Sequence, residues 1–565
     1  MTLFSSLMPT AAMQWIADQN VNLIAPEVTL LLGILWLFIS SLTANKSNRH
    51  LPFWVSLMAL VLACGSLVYL FKAVYWPHSV VGQATWLSSP ILFGALQADL
   101  FGLIVRGLLL LGGFLLILMS RQFATQIKGV LPAEFYIALL SALLGGLFLA
   151  SASDLITVFV ALETLGISSY ILVSSLRGNI WSAEAGLKYL VYGGVSSACL
   201  LMGFALLYGL SGGHTDFAHI SVTLQQVVQN PAAYGLLLAF AATLIIAGLG
   251  FKLSAAPFHM WTPDVYEGAP LPVTAFLSVL SKTAAFALTV RLLSGVMMPL
   301  HGTLLPALIA IAVLSMTVGN VLALVQTSIK RLLAYSTIAH AGYMILAVIV
   351  ASQASLGSLL FYLGVYLFMN LGAFASAMLL SSWMGSEKIS DFAGLFTKRP
   401  GLVFMFSLAL LSLAGIPVTA GFFAKFYLFK SVAEAGSQYF WLLAVALLNS
   451  TISLYYYINV IRVMVIAEPS AVVNALPTSD VNGSSLSLNW VLQVSTIATL
   501  LLGFVSAPAY ELMLQASRSV IPFSPSISSQ GLRSKRRLSP VSRVAPSSTQ
   551  VQVTKTQAQH PRISG

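Results

Sequence analysis

The sequence predicts an all-α, polytopic membrane protein of about fourteen transmembrane helices, some of them interrupted. Three observations carry that prediction. Of 565 residues, 58% are hydrophobic and only 8% are charged, where a soluble domain carries roughly 25%; lipid must surround most of such a chain. Apolar windows of about 20 residues, the length that crosses a bilayer as a helix, recur almost without pause. Glycine and proline clusters then cut into these windows at two places.

The spans fall near 24–43, 52–72, 99–119, 132–150, 153–175 and 186–210, then 233–255, 270–292, 303–326 and 330–351. The last four lie near 354–382, 402–430, 437–466 and 489–514. The first begins too far in, and without a basic start, to read as a cleaved signal peptide. Lys46 and Arg49, Arg121 and Lys128, and Arg177 follow spans one, three and five. Lys330 and Arg331, then Lys388, Lys398 and Arg399, then Arg462 follow spans nine, eleven and thirteen. Even-numbered connections are poor in basic residues, with Lys72, Arg291 and Lys430 as exceptions. The positive-inside rule therefore places the odd connections at the cytoplasm or its equivalent and both termini on the other side.

Residues 1–514 read as one transmembrane domain and 515–565 as a basic, disordered tail, rich in Ser, Pro and Gln beyond Ser524. The tail holds eight of the eleven net positive charges and no acid, from Arg518 to Arg562. The body is nearly neutral, which removes support for a nucleic-acid partner. Cys64 and Cys199 lie in apolar stretches outside any metal-ligand spacing, so iron–sulfur and zinc sites are not expected, and no motif in the chain binds a flavin, a nicotinamide or a metal. There is no Walker loop, dinucleotide-binding glycine pattern or nucleophile elbow. GLSGGHTD at 209–216 joins two spans and reads as a turn.

The interruptions are Gly248, Gly250 and Pro257, followed by Pro263, Pro270 and Pro272, at spans seven to eight, and Gly415, Pro417 and Gly421 in span twelve. Broken helices at corresponding places in two halves point to an inverted-repeat transporter with its pathway at the break. Ionisable groups inside spans are costly and usually functional. The informative ones are Glu163, Lys252, Lys282, His340 and Lys425. On a helix, Glu163 shares a face with Phe159, Gly166 and Tyr170, and the glycine admits close approach by another helix. A lysine in low dielectric loads and releases a proton near neutral pH, which an exposed lysine does not, and a nearby glutamate favours its charged form. Moving a glutamate against a lysine is then a switch, and a histidine is a natural relay between two lysines. Each residue also has a structural reading. Lysines near helix ends snorkel to the interface, Glu163 serves as a polar anchor, and His340, ten residues past Lys330, is a satisfied structural histidine. Glu184 and Lys188 form a surface i,i+4 pair, and Asp154, Asp264 and Glu267 are solvated or capping carboxylates.

FKLSAAPFHMWTPDVYEGAPLPVTAFLSVLSK at 251–282 resembles the signature of the antiporter-like subunits of complex I, the proton-pumping NAD(P)H–quinone oxidoreductases. With LETLGISSY, AEAGLKYL, KRLLAYSTIAHAGY, FYLGVYLFMNLGAFA and AGIPVTAGFFAKFYLF, the chain is most similar to their subunit 2, called subunit N in bacterial enzymes. YEGAP and LLYGLSGGHTD lean towards the cyanobacterial and plastid branch. The likeness runs from about Ala25 to Leu514. It implies fourteen helices in a fold with two inverted five-helix repeats, and proton-path roles for Glu163, Lys252, Lys282 and Lys425, with His340 on the connecting axis and Lys188 as a further family lysine. It also implies partners among the other membrane subunits of a large oxidoreductase, no redox cofactor in this chain, and a multi-pass location in a thylakoid membrane, or a plasma membrane. A subunit of a stand-alone Mrp-type sodium/proton antiporter is the rival reading, and a transport-free scaffold a more distant one.

Overall fold

The computed structural model describes residues 21–43, 49–75, 89–127, 129–229, 231–476 and 486–520. The tail expected beyond residue 520 lies outside them. A bilayer core offers no water to backbone N–H and C=O groups, so a chain this apolar satisfies them internally as helices. The helices are α1 (Ala25–Thr43), α2 (Leu51–Tyr75), α3 (Leu100–Gln126), α4 (Pro132–Ser151), α5 (Leu155–Val173) and α6 (Ile180–Leu210). An amphipathic connector α7 (Phe217–Val228) leads to α8 (Pro231–Leu253), a short α9 (Trp261–Gly268) and α10 (Leu271–Val296). The second half holds α11 (His301–Ala323), α12 (Ile329–Val350), α13 (Gln353–Met384), α14 (Pro400–Ala414), α15 (Ala420–Glu434) and α16 (Phe440–Val465). It closes with α17 (Leu486–Phe504) and α18 (Ser506–Ser517).

Thirteen helices among the described residues are long and apolar enough to cross a membrane. The fourteenth expected span, 402–430, is instead two half-length helices, α14 and α15. Gly415 leaves the helix at φ +86° and ends α14, and Val418 is also left-handed. The other break separates α8 from α9, where Ser254 takes φ +58°. The expected last span also stops early, at Phe504, and α18 starts afresh with Pro508 in its first turn, where the missing N–H costs no helical bond. Packing continues past the expected domain edge at 514, since Ala516 and Ser517 are buried. One small departure from all-α is an antiparallel hairpin of Ser89–Ile91 with Leu96–Ala98.

Backbone contacts sort the connections onto two faces. On one, Arg49 donates to Ile127 O and Val130 O at 3.3 and 2.9 Å, Arg177 N donates to Gly129 O, Ser328 bridges Lys388, and Ser470 N donates to Ala393 O. These are the odd-numbered, basic connections. On the other, Ser153 N donates to Ala95 O, Asp154 bridges Asp216, and Phe101 N donates to Ser519 Oγ just after α18. Between the faces, α4 packs on α5 as α11 packs on α12, and α6 packs on α8 as α13 packs on α15. The offset of five crossings is odd, so equivalent helices run in opposite directions, which is the inverted repeat.

The core is a spine of three helices. Of the apolar windows of α10, α12 and α13, 100%, 94% and 89% is buried, against 33% for α1, α6 and α16. The outer helices turn Trp36, Trp54, Trp181 and Trp441 outwards, which in an integral multi-pass protein is the lipid-facing side. A polar side chain on the spine has no route to lipid or bulk water and must be answered by its neighbours.

Candidate functional site

In the first half, Asp154 caps α5 by accepting from the backbone N–H of Ile156 and Thr157, and so fixes the helix that carries Glu163. Glu163 accepts a hydrogen bond from the Ser197 hydroxyl on α6. Lys252 lies buried in the last turn of α8, where the helix macrodipole favours a cation. It is not in ion-pair contact with Glu163, whose carboxylate is engaged by Ser197. A methyl group at Gly166 would lie 3.2 Å from Lys252 Nζ. The glycine one turn beyond Glu163 is therefore what lets the ammonium approach α5.

In the centre, Lys282 sits where α10 leaves a π-helical stretch, Leu277–Ser281, and a second π stretch follows at Val290–Val296. Such distortions inside α-helices are frequent at functional sites. Lys282 is fully buried and its ammonium donates to Thr337 O of α12 at 2.9 Å. Ser278 meets Thr337 Oγ1 at 3.0 Å and Tyr366 Oη at 3.4 Å. One turn beyond Thr337, the buried His340 has both ring nitrogens next to hydroxyls. Nδ1 lies 2.7 Å from Tyr362 Oη and Nε2 lies 3.4 Å from Tyr457 Oη, which also bonds Ser336.

In the second half, Lys425 on α15 reaches back across the break. Its ammonium donates to Ala414 O at 2.8 Å and to Ser450 Oγ at 3.1 Å. Ala414 ends α14, so the interruption itself supplies the acceptor, a carbonyl with no helical partner. Gly415 also leaves room for the lysine, because a Cβ there would lie 2.9 Å from Lys425 Cδ. Lys425 Nζ is 5.2 Å from the centre of the Tyr343 ring, which lies 5.9 Å from the His340 ring. Tyr343 Oη accepts from Asn320, and Asn320 accepts from Tyr456. His340 thus lies on α12 between Thr337, which Lys282 meets, and Tyr343, which Lys425 faces.

The structure brings five of the six sequence-derived residues into this array. Lys188 is the exception. It is 40% exposed and pairs with Glu184 at 2.8 Å and Asp264 at 3.0 Å. Arg331 adds contacts to Asp264 and Glu267. The surface ion-pair reading of WSAEAGLKYL is the one the geometry matches, because position 188 faces out of α6 and short α9 brings further acids over it. The tyrosines and serines of the array were not singled out from the sequence. The signal available was spacing: Tyr362 and Tyr366 lie four apart on α13, as Ser278 and Lys282 do on α10. Sequence reading also passed over two buried ion pairs. Glu27 meets Arg106 at 3.1 Å, and Asp99 meets Arg291 at 2.8 Å. Arg106 lies inside the third span, so its charge alone marked it. Arg291 further donates to Ala150 O and so anchors the end of the lysine-bearing α10 to α3 and α4. This explains its place among the exceptions to the basic-loop pattern. Cys64 and Cys199 are free thiols.

The family described as NADH:quinone oxidoreductase/Mrp antiporter, transmembrane, matches residues 152–453, a stretch that holds Glu163, Lys252, Lys282, His340 and Lys425. NAD(P)H-quinone oxidoreductase subunit 2 of the cyanobacterium Nostoc punctiforme is 42% identical over 504 residues, covering 88% of this chain and 90% of that protein. A chain of respiratory complex I from Thermus thermophilus superposes with a TM-score of 0.69 at 31% identity, covering 86% of this chain and 98% of that one. A chain of the Mrp complex from Dietzia sp. superposes with a TM-score of 0.74, covering 91% and 99%, but at 20% identity the likeness is one of fold alone.

Proposed function

The chain belongs to the family of NAD(P)H-quinone oxidoreductase subunit 2, and on that premise we propose that it is the proton-translocating, non-redox membrane subunit of such an oxidoreductase. Electrons pass from NAD(P)H or ferredoxin to quinone in other subunits, and this chain moves protons in response. Its partners are the other membrane subunits, it holds no redox cofactor, and its cyanobacterial relatives favour a thylakoid location and plastoquinone as acceptor. The observation that carries the reading is the buried line Lys252, Lys282, His340, Lys425, with a broken or π-distorted helix at every lysine. A static anchor needs neither a helix break nor a histidine with a hydroxyl at each nitrogen.

In this arrangement Glu163 rests on Ser197. Turning it to Lys252 forms the ion pair that holds a proton there, and turning it back lets the proton pass on. Ser278, Thr337 and Tyr366 surround the step from Lys282 towards His340. Tyr343 and the freed Ala414 carbonyl surround Lys425, at the far end.

The test uses the intact complex in vesicles, with quinone-linked proton uptake measured for Lys252→Ala, Lys425→Ala, the double variant and Lys425→Arg. Steps in series are non-additive, so the double should be little worse than either single. Lys425→Arg keeps the charge but effectively never deprotonates, so it should block pumping in an assembled complex. Near-normal pumping by Lys425→Arg would overturn load-and-release at this site. Copurification with sodium/proton antiporter subunits, without quinone reductase, would overturn the family reading in favour of the Mrp-type one.

A further inference from the structure

We propose that the turn after α6 carries a surface site for a divalent transition-metal cation of the Zn²⁺ class, formed by His214, Asp216 and His219. The ligand-type atoms of these three side chains all lie within 4.8 Å of one another. His219 Nδ1 is 2.7 and 2.8 Å from the two carboxylate oxygens of Asp216, and His214 Nδ1 is 3.9 Å from Oδ2. Ligands bound at about 2.0–2.2 Å in a tetrahedral Zn²⁺ site are separated by roughly 3.3–3.5 Å, so small rotations of these side chains close the set on one ion.

The geometry comes from the local fold. Gly212 and Gly213 take φ +73° and +91° and reverse the chain after α6. Asp216 then caps α7, accepting from His219 N, which puts the carboxylate and the His219 ring on the same side of the first turn. The His214 ring stacks on that of His219 with centroids 4.5 Å apart and planes 9° from parallel. Helix capping accounts for Asp216, and an i,i+3 pair accounts for His219. Neither accounts for a second imidazole stacked on the first with its Nδ1 towards the same carboxylate. Two imidazoles and one carboxylate are a donor set suited to Zn²⁺.

The site is held in place before any ion arrives. Leu155 N donates to Thr215 O, Phe217 N to Ser153 O, and Ser211 Oγ to His214 O. The three side chains are 36–62% exposed, which leaves the remaining coordination positions to water. The same contacts tie the turn to the first residues of α5, so the ion would sit at the end of the helix that carries Glu163.

The experiment is equilibrium dialysis of Zn²⁺ against the tag-free full chain in detergent, with excess Mg²⁺ present. One Zn²⁺ should bind saturably per chain. His214→Gln, His219→Gln and Asp216→Asn should each weaken it by more than roughly tenfold, a floor set by what even outer-sphere partners contribute at metal sites. Asp216→Asn keeps a competent helix cap, and unchanged helical circular dichroism shows that each variant is folded. His50→Gln, beside Arg49 on the opposite face of connections, should bind as the unaltered chain does. Absence of saturable binding, displacement by Mg²⁺, or binding by any of the three variants as tight as by the unaltered chain would overturn the proposal.

Discussion

Replacing Tyr362 by phenylalanine removes one oxygen from the centre of the array and leaves its shape intact. The lost hydroxyl lies 2.7 Å from His340 Nδ1, on a helix whose window is 89% buried, so no bulk water takes its place. Leaving a buried polar atom unpaired costs about 1–3 kcal/mol. If His340 relays protons, that cost falls on the transfer step, and at 1.36 kcal/mol per tenfold it slows pumping by about 5- to 150-fold. Tyr457→Phe is the internal control. Its contact to Nε2 is 3.4 Å, long for a hydrogen bond, and its hydroxyl is already engaged with Ser336. It should therefore slow pumping less. The assay is quinone-driven acidification of vesicles containing the assembled complex, read with a pH dye beside the rate of quinone reduction. Pumping by Tyr362→Phe at the normal rate would refute the relay. A larger loss from Tyr457→Phe than from Tyr362→Phe would refute the assignment of Nδ1 as its working side.

Glu163→Gln keeps shape and the Ser197 contact but removes the charge that reaches Lys252; it should impair pumping, whereas Glu163→Asp should retain part of it. Equal vesicle acidification by all three proteins would leave only an anchoring role for Glu163. Asp99→Ala strips Arg291 of its carboxylate partner in a buried site, an uncompensated charge that typically costs about 3–5 kcal/mol. The thermal transition of the detergent-solubilised complex should drop and its level in the membrane fall. A transition identical to that of the unaltered complex would show that water reaches Arg291.

The sequence by itself determined what lipid chemistry dictates. Span length and the near-absence of charge are set by the bilayer's thickness and its lack of hydrogen-bonding solvent. A charge within such a span is costly wherever it ends up, which is why Glu163, Lys252, Lys282, His340 and Lys425 were legible one residue at a time. Gly415 and Pro257 announced the breaks because φ preferences are local. Long-range facts were not legible. Apolar spans carry little helical periodicity, since lipid and protein interior are about equally apolar, so nothing in the letters says which face of α6 looks outwards. That face puts Lys188 in a surface cluster with Glu184 and, from α9, Asp264.

Only the tertiary structure decided which charges are answered by which neighbours. Arg291 finds Asp99 across 192 positions of sequence, and Tyr457 reaches His340 from a helix 117 positions away. Tyrosine and serine are unremarked in an apolar window because their polar atoms are cheap at the surface and informative only once buried. Packing α10, α12 and α13 into a spine removed every alternative partner. It turned scattered hydroxyls, and a carbonyl released by a helix break, into the surroundings of Lys282, Lys425 and His340.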